Sequence, residues 1–380
     1  MASITKYTNS KGSFWQVRAF IGYKEDGREL RLTRKGFKTK KEAQKALNQA
    51  ISDYETKKAP ELQVQLTFKE LYDIWLEQYR LSVKPSSVAT AKRYCELHVL
   101  PAFGHLKLNK ITVAYCQKQV NIWHSKYKQY NYLRKETQKI MKFGVSSELM
   151  ASNPMSKVIV PRKKEIDTPV KFYTKSELID FLNFSKDICN PKIYTFIRLL
   201  AFTGMRKSEA LALQWKDIDF ISKTLNIGKT VAIDEFKQVI LQEPKTLNST
   251  RVIKLDEGTI SQLESWKSEQ EKQLKLLNVR QSDKQHIFTG KNNSLYYPQI
   301  INDWLNWIYE KDSKKLFHKI TPHGFRYTHC SLLFESGASI KEVQSRLGHK
   351  DVSTTMNIYA CTTPQMIENT GEKFAKYINF

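Results

Sequence analysis

The sequence predicts a mainly α protein with small β-sheets, an α+β chain in three domains. Three observations carry this. Residues 1–60 hold two short alternating runs, FWQVRAFIGY and RELRLTRKGF, around the polar turn KEDG, and then the helical-looking TKKEAQKALNQAISDYETKK. From Thr67 to about residue 153 apolar residues recur at i, i+3, i+4 spacing. Two polar, proline-bearing stretches, KKAPELQVQ at 57–65 and SNPMSKVIVPRKKEIDTPVKF at 152–172, have the composition of linkers. A length of 380 residues suits two or three domains at roughly 100–200 residues each.

Taken in order, the first 60 residues read as a small sheet followed by a helix, and the segment 66–155 as a bundle of four or five helices. Thr67 with Glu70 has the spacing of an N-terminal capping box, and KPSSVATAKRY opens another helix at Pro85. Residues 170–380 form the third domain, with helices over 175–215, strands and turns over 217–256, and helices to the end. The tail TPQMIENTGEKFAKYINF is amphipathic as a helix, with Met366, Ile367, Phe374, Tyr377 and Ile378 available for one face.

Lys and Arg number 62 against 38 Asp and Glu, a net charge of +24. The first 60 residues alone carry 14 basic and 6 acidic side chains, with Phe14, Trp15, Phe20, Tyr23 and Phe37 interleaved among Arg18, Arg28, Arg31, Arg34 and Lys35. Such an excess calls for a polyanion or a membrane surface. No apolar run approaches the roughly 18 residues that span a bilayer, and MASITKYTNSKGSF has no apolar signal core, so a soluble, cytoplasmic protein is expected. Cys95, Cys116, Cys189, Cys330 and Cys361 are scattered without a C-x-x-C pair, and the cluster HKITPHGFRYTHC lacks zinc-finger spacing. Nucleic acid is the expected partner and no metal is expected.

Four segments of the last domain concentrate polar chemistry. Arg206 follows a Thr-Gly break and opens a helical run; Lys245 precedes the polar turn TLNST, where the chain is expected to reverse between two strands. His323 and Arg326 lie three apart, so on a helix both could address one anion. His349 follows the helix stop RLG, and Tyr359 lies in the amphipathic TTMNIYACTT.

In order and spacing, GMRKSEALALQW, PKT with the following STRVIKL, HGFRYTH and LGHKDVSTTMNIYA resemble the catalytic boxes of the tyrosine recombinases. The whole chain resembles the integrases of phages, genomic islands and Tn916-like conjugative transposons, strongly in the last domain and weakly in the first 60 residues. The resemblance implies an arm-type DNA-binding domain over 1–60, a SAM-like core-binding domain over 66–155 and a catalytic domain over 170–380. It also implies site-specific recombination that integrates and excises a mobile element through a 3′-phosphotyrosyl intermediate, without metal, ATP or other cofactor. Four protomers on two DNA sites, an excisionase and host DNA-bending proteins are the implied partners. Arg18, Arg28, Arg31, Arg34 and Lys35 become the expected arm-DNA contacts, and the tail is expected to pack on its own domain or on a neighbouring protomer.

Each implied catalytic residue has a chemical reason. Attack of a side-chain oxygen on a phosphodiester builds charge on the non-bridging oxygens, which suits the permanently protonated, forked guanidinium groups of Arg206 and Arg326, with His349 as a third donor. Tyr359 is the expected nucleophile; its phenol, with an ordinary pKa near 10, gives up its proton in the attack, with His323 to accept or orient it. Lys245, a compact cation, suits the general acid for the departing 5′ oxygen. Two other classes remain open at this point: a non-enzymatic sequence-specific DNA-binding regulator and a type IB topoisomerase.

Overall fold

A computed structural model describes residues 2–9, 12–23, 28–58, 66–162, 171–243, 250–349, 351–353, 355–356 and 378. The chain separates into two compact units, Met1–Lys164 and Glu165–Phe380. Small antiparallel sheets and a majority of helix give the α+β class expected.

The first unit begins with an antiparallel sheet in the order β1 (Ser3–Asn9), β2 (Gly12–Tyr23), β3 (Glu29–Phe37), with helix α1 (Lys40–Lys58) on one face. Alternation decides which residues meet the helix: Val17 and Ala19 are buried against Ala43 and Leu47. Helices α2 (Phe68–Ser82), α3 (Pro85–Tyr94), the short α4 (Leu100–Phe103), α5 (Val113–Lys126) and α6 (Tyr130–Ser146) follow, a π-helical turn at Cys95–Val99 joining α3 to α4. Their apolar stripes close on a second core that includes Phe68, Leu71, Trp75, Val99, Phe103, Val120, Trp123 and Ile140. Both ends of the expected capping box are made: Glu70 N–H donates to Thr67 Oγ1 at 3.3 Å, and Thr67 N–H to Glu70 Oε2 at 2.7 Å. Pro85 is itself the first helical residue of α3, where its missing N–H costs nothing.

The second unit packs helices α7 (Lys175–Ile188), α8 (Pro191–Thr203), α9 (Lys207–Ala212), α10 (Glu257–Leu276), α11 (Ile300–Lys311), α12 (Pro322–Glu335) and α13 (Ile340–Leu347) with two small sheets. Strands β4 (Ile218–Asp219), β5 (Thr224–Ile227) and β8 (Arg251–Lys254) make one sheet; β6 (Thr230–Ile233) and β7 (Val239–Gln242) make the other. Phe181, Phe196, Leu200, Leu211, Trp215, Ile253, Trp266 and Phe325 lie in their shared core.

The register corrects one expectation. The strands flanking Lys245 do not pair with each other: β7 lies on β6 and β8 on β5. Thr230 faces Gln242 in one sheet and Ile227 faces Arg251 in the other. The strands on either side of Lys245 therefore belong to two different sheets and are not the two arms of one hairpin. Lys245 itself lies outside the described residues, as do Tyr359 and, apart from Ile378, the amphipathic tail.

Helix α8 stops at Gly204, which adopts φ +61° as its C-cap. A Cβ there would stand 2.6 Å from Leu347 Cδ2 and 2.7 Å from His329 Cδ2. Gly204→Ala is therefore expected to cost about 2–4 kcal/mol, the left-handed backbone and the overpacked contact adding. The urea midpoint of the purified full chain measures it; an unchanged midpoint would mean that both neighbours move aside freely.

Candidate active site

Arg206 sits where α9 begins, two residues beyond the left-handed turn at Gly204. Its backbone N–H donates to Glu209 Oε2 at 3.0 Å and its Nη1 to Glu209 Oε1 at 2.8 Å, so Glu209 reaches back to the helix start as in a capping box, while the arginine, which has no acceptor, only donates. Glu209 is buried, and its Oε2 also accepts from Arg251 Nη2 of β8 at 2.9 Å. Burial pulls the Glu209 pKa upward, but the Arg251 guanidinium and the bonds from Arg206 outweigh it and hold the carboxyl below its ordinary range. An ionised Glu209 thus fixes Arg206 by its base while 43% of the Arg206 side chain stays exposed to meet an anion.

Arg326, in the first turns of α12, is buried at 1% exposure. Nη1 donates to Gly204 O at 2.8 Å, Nη2 to Leu347 O at 2.6 Å and Nε to His349 Nε2 at 3.2 Å. Three of its five N–H groups are committed, which leaves one on each terminal nitrogen. Burial first, then the neighbouring Arg206, push its pKa down to about 9, still protonated at neutral pH.

His349 follows Gly348, the left-handed cap that ends α13. Because Nε2 accepts from Arg326, the ring proton belongs on Nδ1, which lies 2.9 Å from Thr355 Oγ1. Burial, then Arg326 and Arg206, lower the His349 pKa to about 3. In the free protein this histidine is neutral and its Nε2 is an acceptor. His323 is solvent-exposed, its ring edge-on to Tyr327 at 4.9 Å. Partial desolvation, then Arg326 and Arg206, lower its pKa as well, which suits a ring that accepts a proton.

Arg206, Arg326, His349 and His323 are thus brought together as one cationic cluster around a single buried carboxylate, a surplus of positive charge ready for an anion. Sequence reasoning did not single out Glu209 or Arg251, although both stand in the quoted segments. The three-residue step from Arg206 to Glu209 is a capping-box spacing that could have flagged Glu209; nothing local flags Arg251. It also passed over His329 and Arg346, which meet across α12 and α13 at 3.0 Å.

On the small sheet of the first unit, the register places Arg18, Arg31 and Lys35 together on the face opposite α1, with Phe20, 40% exposed, paired to Arg31. Arg34 pairs with buried Val17 and so shares the helix side at the edge strand β3; Arg28 stands just before that strand. Arg31 is ion-paired to Glu29 at 2.7 Å. All five basic residues are exposed.

Residues 171–366 match the sequence model of the Phage integrase family. The chain belongs to this family. Two further matches cover other parts of the integrase: the phage integrase N-terminal SAM-like domain over 67–124 and an Arm DNA-binding domain over 3–54. The ICEBs1 integrase of Bacillus subtilis is 27% identical over 98% of both chains, and the transposase from transposon Tn916 of Enterococcus faecalis is 24% identical over 62% of this chain and 59% of its own. In fold the chain is similar to the Tn1549 transposon integrase, solved with a circular intermediate DNA, at a TM-score of 0.62 and 19% identity over 80% of this chain and 99% of that one. It is also similar to a lambda integrase dimer bound to a core site, at a TM-score of 0.56 and 13% identity over 93% of each. It is a tyrosine recombinase of the integrase type found on mobile elements, an enzyme of site-specific DNA cleavage and rejoining. Among the described residues, no helix is long and apolar enough to cross a membrane and no group of three or more His, Cys, Asp or Glu could hold a metal ion.

Proposed function

We propose that this integrase cuts and rejoins double-stranded DNA through Tyr359, with Arg206 and Arg326 neutralising the scissile phosphate, His349 adding a donor, His323 handling the tyrosine proton and Lys245 protonating the leaving 5′ oxygen. The observation that supports this most is the geometry at Glu209 and Arg326. An exposed guanidinium and a buried one converge beside two neutral histidines, and both guanidinium groups are held from behind by carbonyl or carboxylate oxygens. Preorganised donors of this kind lower a barrier because they need not reorient as charge develops.

The neutral state of His349 defines the resting enzyme. An incoming phosphate places negative charge within its reach, and opposite charge raises a histidine pKa. His349 then takes a second ring proton from solvent on Nε2, gives up the bond it accepted from Arg326 Nε, and donates to the phosphate. The phosphotyrosyl bond conserves the energy of the phosphodiester, so a new 5′ hydroxyl can reverse the step on another partner strand without ATP or metal.

In this reading the domains fall at 1–60, 66–155 and 170–380, the first binding arm-type sites through the open face that carries Arg18, Arg31 and Lys35, with Arg28 and Arg34 at its border. The second grips core-type sites. Four protomers act on two sites, assisted by an excisionase and by host DNA-bending proteins, in the bacterial cytoplasm on the nucleoid. The tail after residue 363 packs either on its own domain or on a neighbour.

The test supplies the full chain with a plasmid carrying the ends of its own element and a second plasmid carrying recipient DNA. Recombinants joined at one position, with protein covalently held on a 3′ phosphate, are the expected outcome. DNA binding with no adduct would favour the regulator. Adducts and relaxed plasmid with no joined product would favour a type IB topoisomerase.

A further inference from the structure

The last turn of α8 ends three residues before Arg206, and the carbonyls there and at the Gly204 cap are met by side chains from the two helices that carry Arg326 and lead to His349. Ala201 O lies 2.9 Å from His329 Nδ1, Phe202 O accepts from Arg346 Nη2 at 3.0 Å, and Gly204 O accepts from Arg326 Nη1 at 2.8 Å. Carbonyls at a helix C-terminus lack intrahelical partners, so guanidinium and imidazole donors there satisfy both the orphan acceptors and the dipole.

Arg346 is the centre of this arrangement. Its guanidinium plane is pinned from three elements: Nε donates to His329 Nε2 of α12 at 3.0 Å, Nη1 to Lys254 O of β8 at 3.2 Å, and Nη2 to Phe202 O of α8. Its own carbonyl accepts from Arg251 Nε at 2.8 Å, and the next carbonyl, Leu347 O, accepts from Arg326 Nη2. Arg251 in turn holds Glu209, which holds Arg206. The pair Arg346–His329 repeats the geometry of Arg326–His349, a guanidinium Nε–H on a histidine Nε2. Because His329 accepts through Nε2, its proton sits on Nδ1 and donates to Ala201 O.

We propose that His329 and Arg346 are positioning residues whose bond sets the placement of Arg206, Arg326 and His349 relative to one another, so that the three reach a single phosphate. This rests on the assignment of Arg326 to the scissile phosphate. Small displacements suffice to matter, because a misplacement of about 1 Å remote from the chemistry can cost on the order of 100-fold in rate.

The experiment measures single-turnover adduct formation and DNA affinity on a nicked duplex carrying the site mapped by the recombination assay. The second substrate is a methylphosphonate at the scissile position, where a methyl group replaces one non-bridging oxygen and removes its charge. His329→Leu is expected to lose about 100-fold in adduct formation on ordinary DNA with DNA affinity kept. The loss should shrink at least about tenfold on the methylphosphonate, which asks less of the arginines. His329→Gln, which restores an acceptor to Arg346, should recover most of the rate. Arg346→Lys keeps a charge but cannot meet three acceptors at once, and should reproduce the selective loss even if His329→Leu folds poorly.

Wild-type rates in both Leu and Lys variants would overturn the proposal, and so would equal losses on the two substrates. Arg326→Ala runs alongside as the control for the underlying assignment. If Arg326→Ala is not relieved by the methylphosphonate, the assignment of Arg326 fails; if it is relieved while the His329 and Arg346 variants are not, only the positioning role fails.

Discussion

Tyr359→Phe is expected to abolish the covalent protein–DNA adduct and all recombinant product while leaving DNA affinity within about twofold of the parent. The substitution deletes one oxygen, and that oxygen is the atom proposed to form the bond to phosphorus. Because the proposed phosphate contacts come from Arg206, Arg326 and His349, the phosphate should still be held. The measurement is denaturing electrophoresis of end-labelled duplex after incubation with each protein, paired with an equilibrium binding titration. A detergent-resistant adduct in the Phe variant would assign the nucleophile elsewhere.

The second large effect is expected at Lys245. Expulsion of an alkoxide is slow unless a proton arrives as the bond breaks, and Lys245→Ala removes the proposed donor. Cleavage of ordinary DNA should fall by about 100- to 10,000-fold, the range in which positioned general acids act. Replacing the bridging 5′ oxygen by sulfur makes a far better leaving group that needs no proton, so the same variant should cut that substrate at close to the parent rate. Arg206→Ala is expected to lose the proposed charge neutralisation at the non-bridging oxygens, which the bridging sulfur does nothing to restore. Similar responses of the two variants to sulfur would remove Lys245 as the acid and turn attention to His323.

The sequence by itself determined what depends on near neighbours. Thr67 and Glu70, three apart, could only cap one helix, and both bonds are made. Gly348 after RL announced a helix end, and it is a left-handed cap. Alternation over FWQVRAFIGY and RELRLTRKGF predicted strands because side chains in a strand alternate between faces. The order of the motif segments was enough to identify the family, since it requires no knowledge of distances. The tertiary structure decided everything that joins remote residues. Arg326 looked like one partner of His323 on a helix face; in the fold it is buried against carbonyls 21 and 122 positions away in the chain. His349 read as a donor, and only its burial beside two arginines shows that it rests as a neutral acceptor. Arg34 belonged with Arg31 and Lys35 by composition, and the register across β2 turned it to the other face. Lys245 was placed in a reversal between strands because local residues signal a turn but carry no record of which strands will pair. Helix and turn preferences reside in residues three or four apart, whereas protonation states, hydrogen-bond partners and sheet register depend on which distant groups exclude water together.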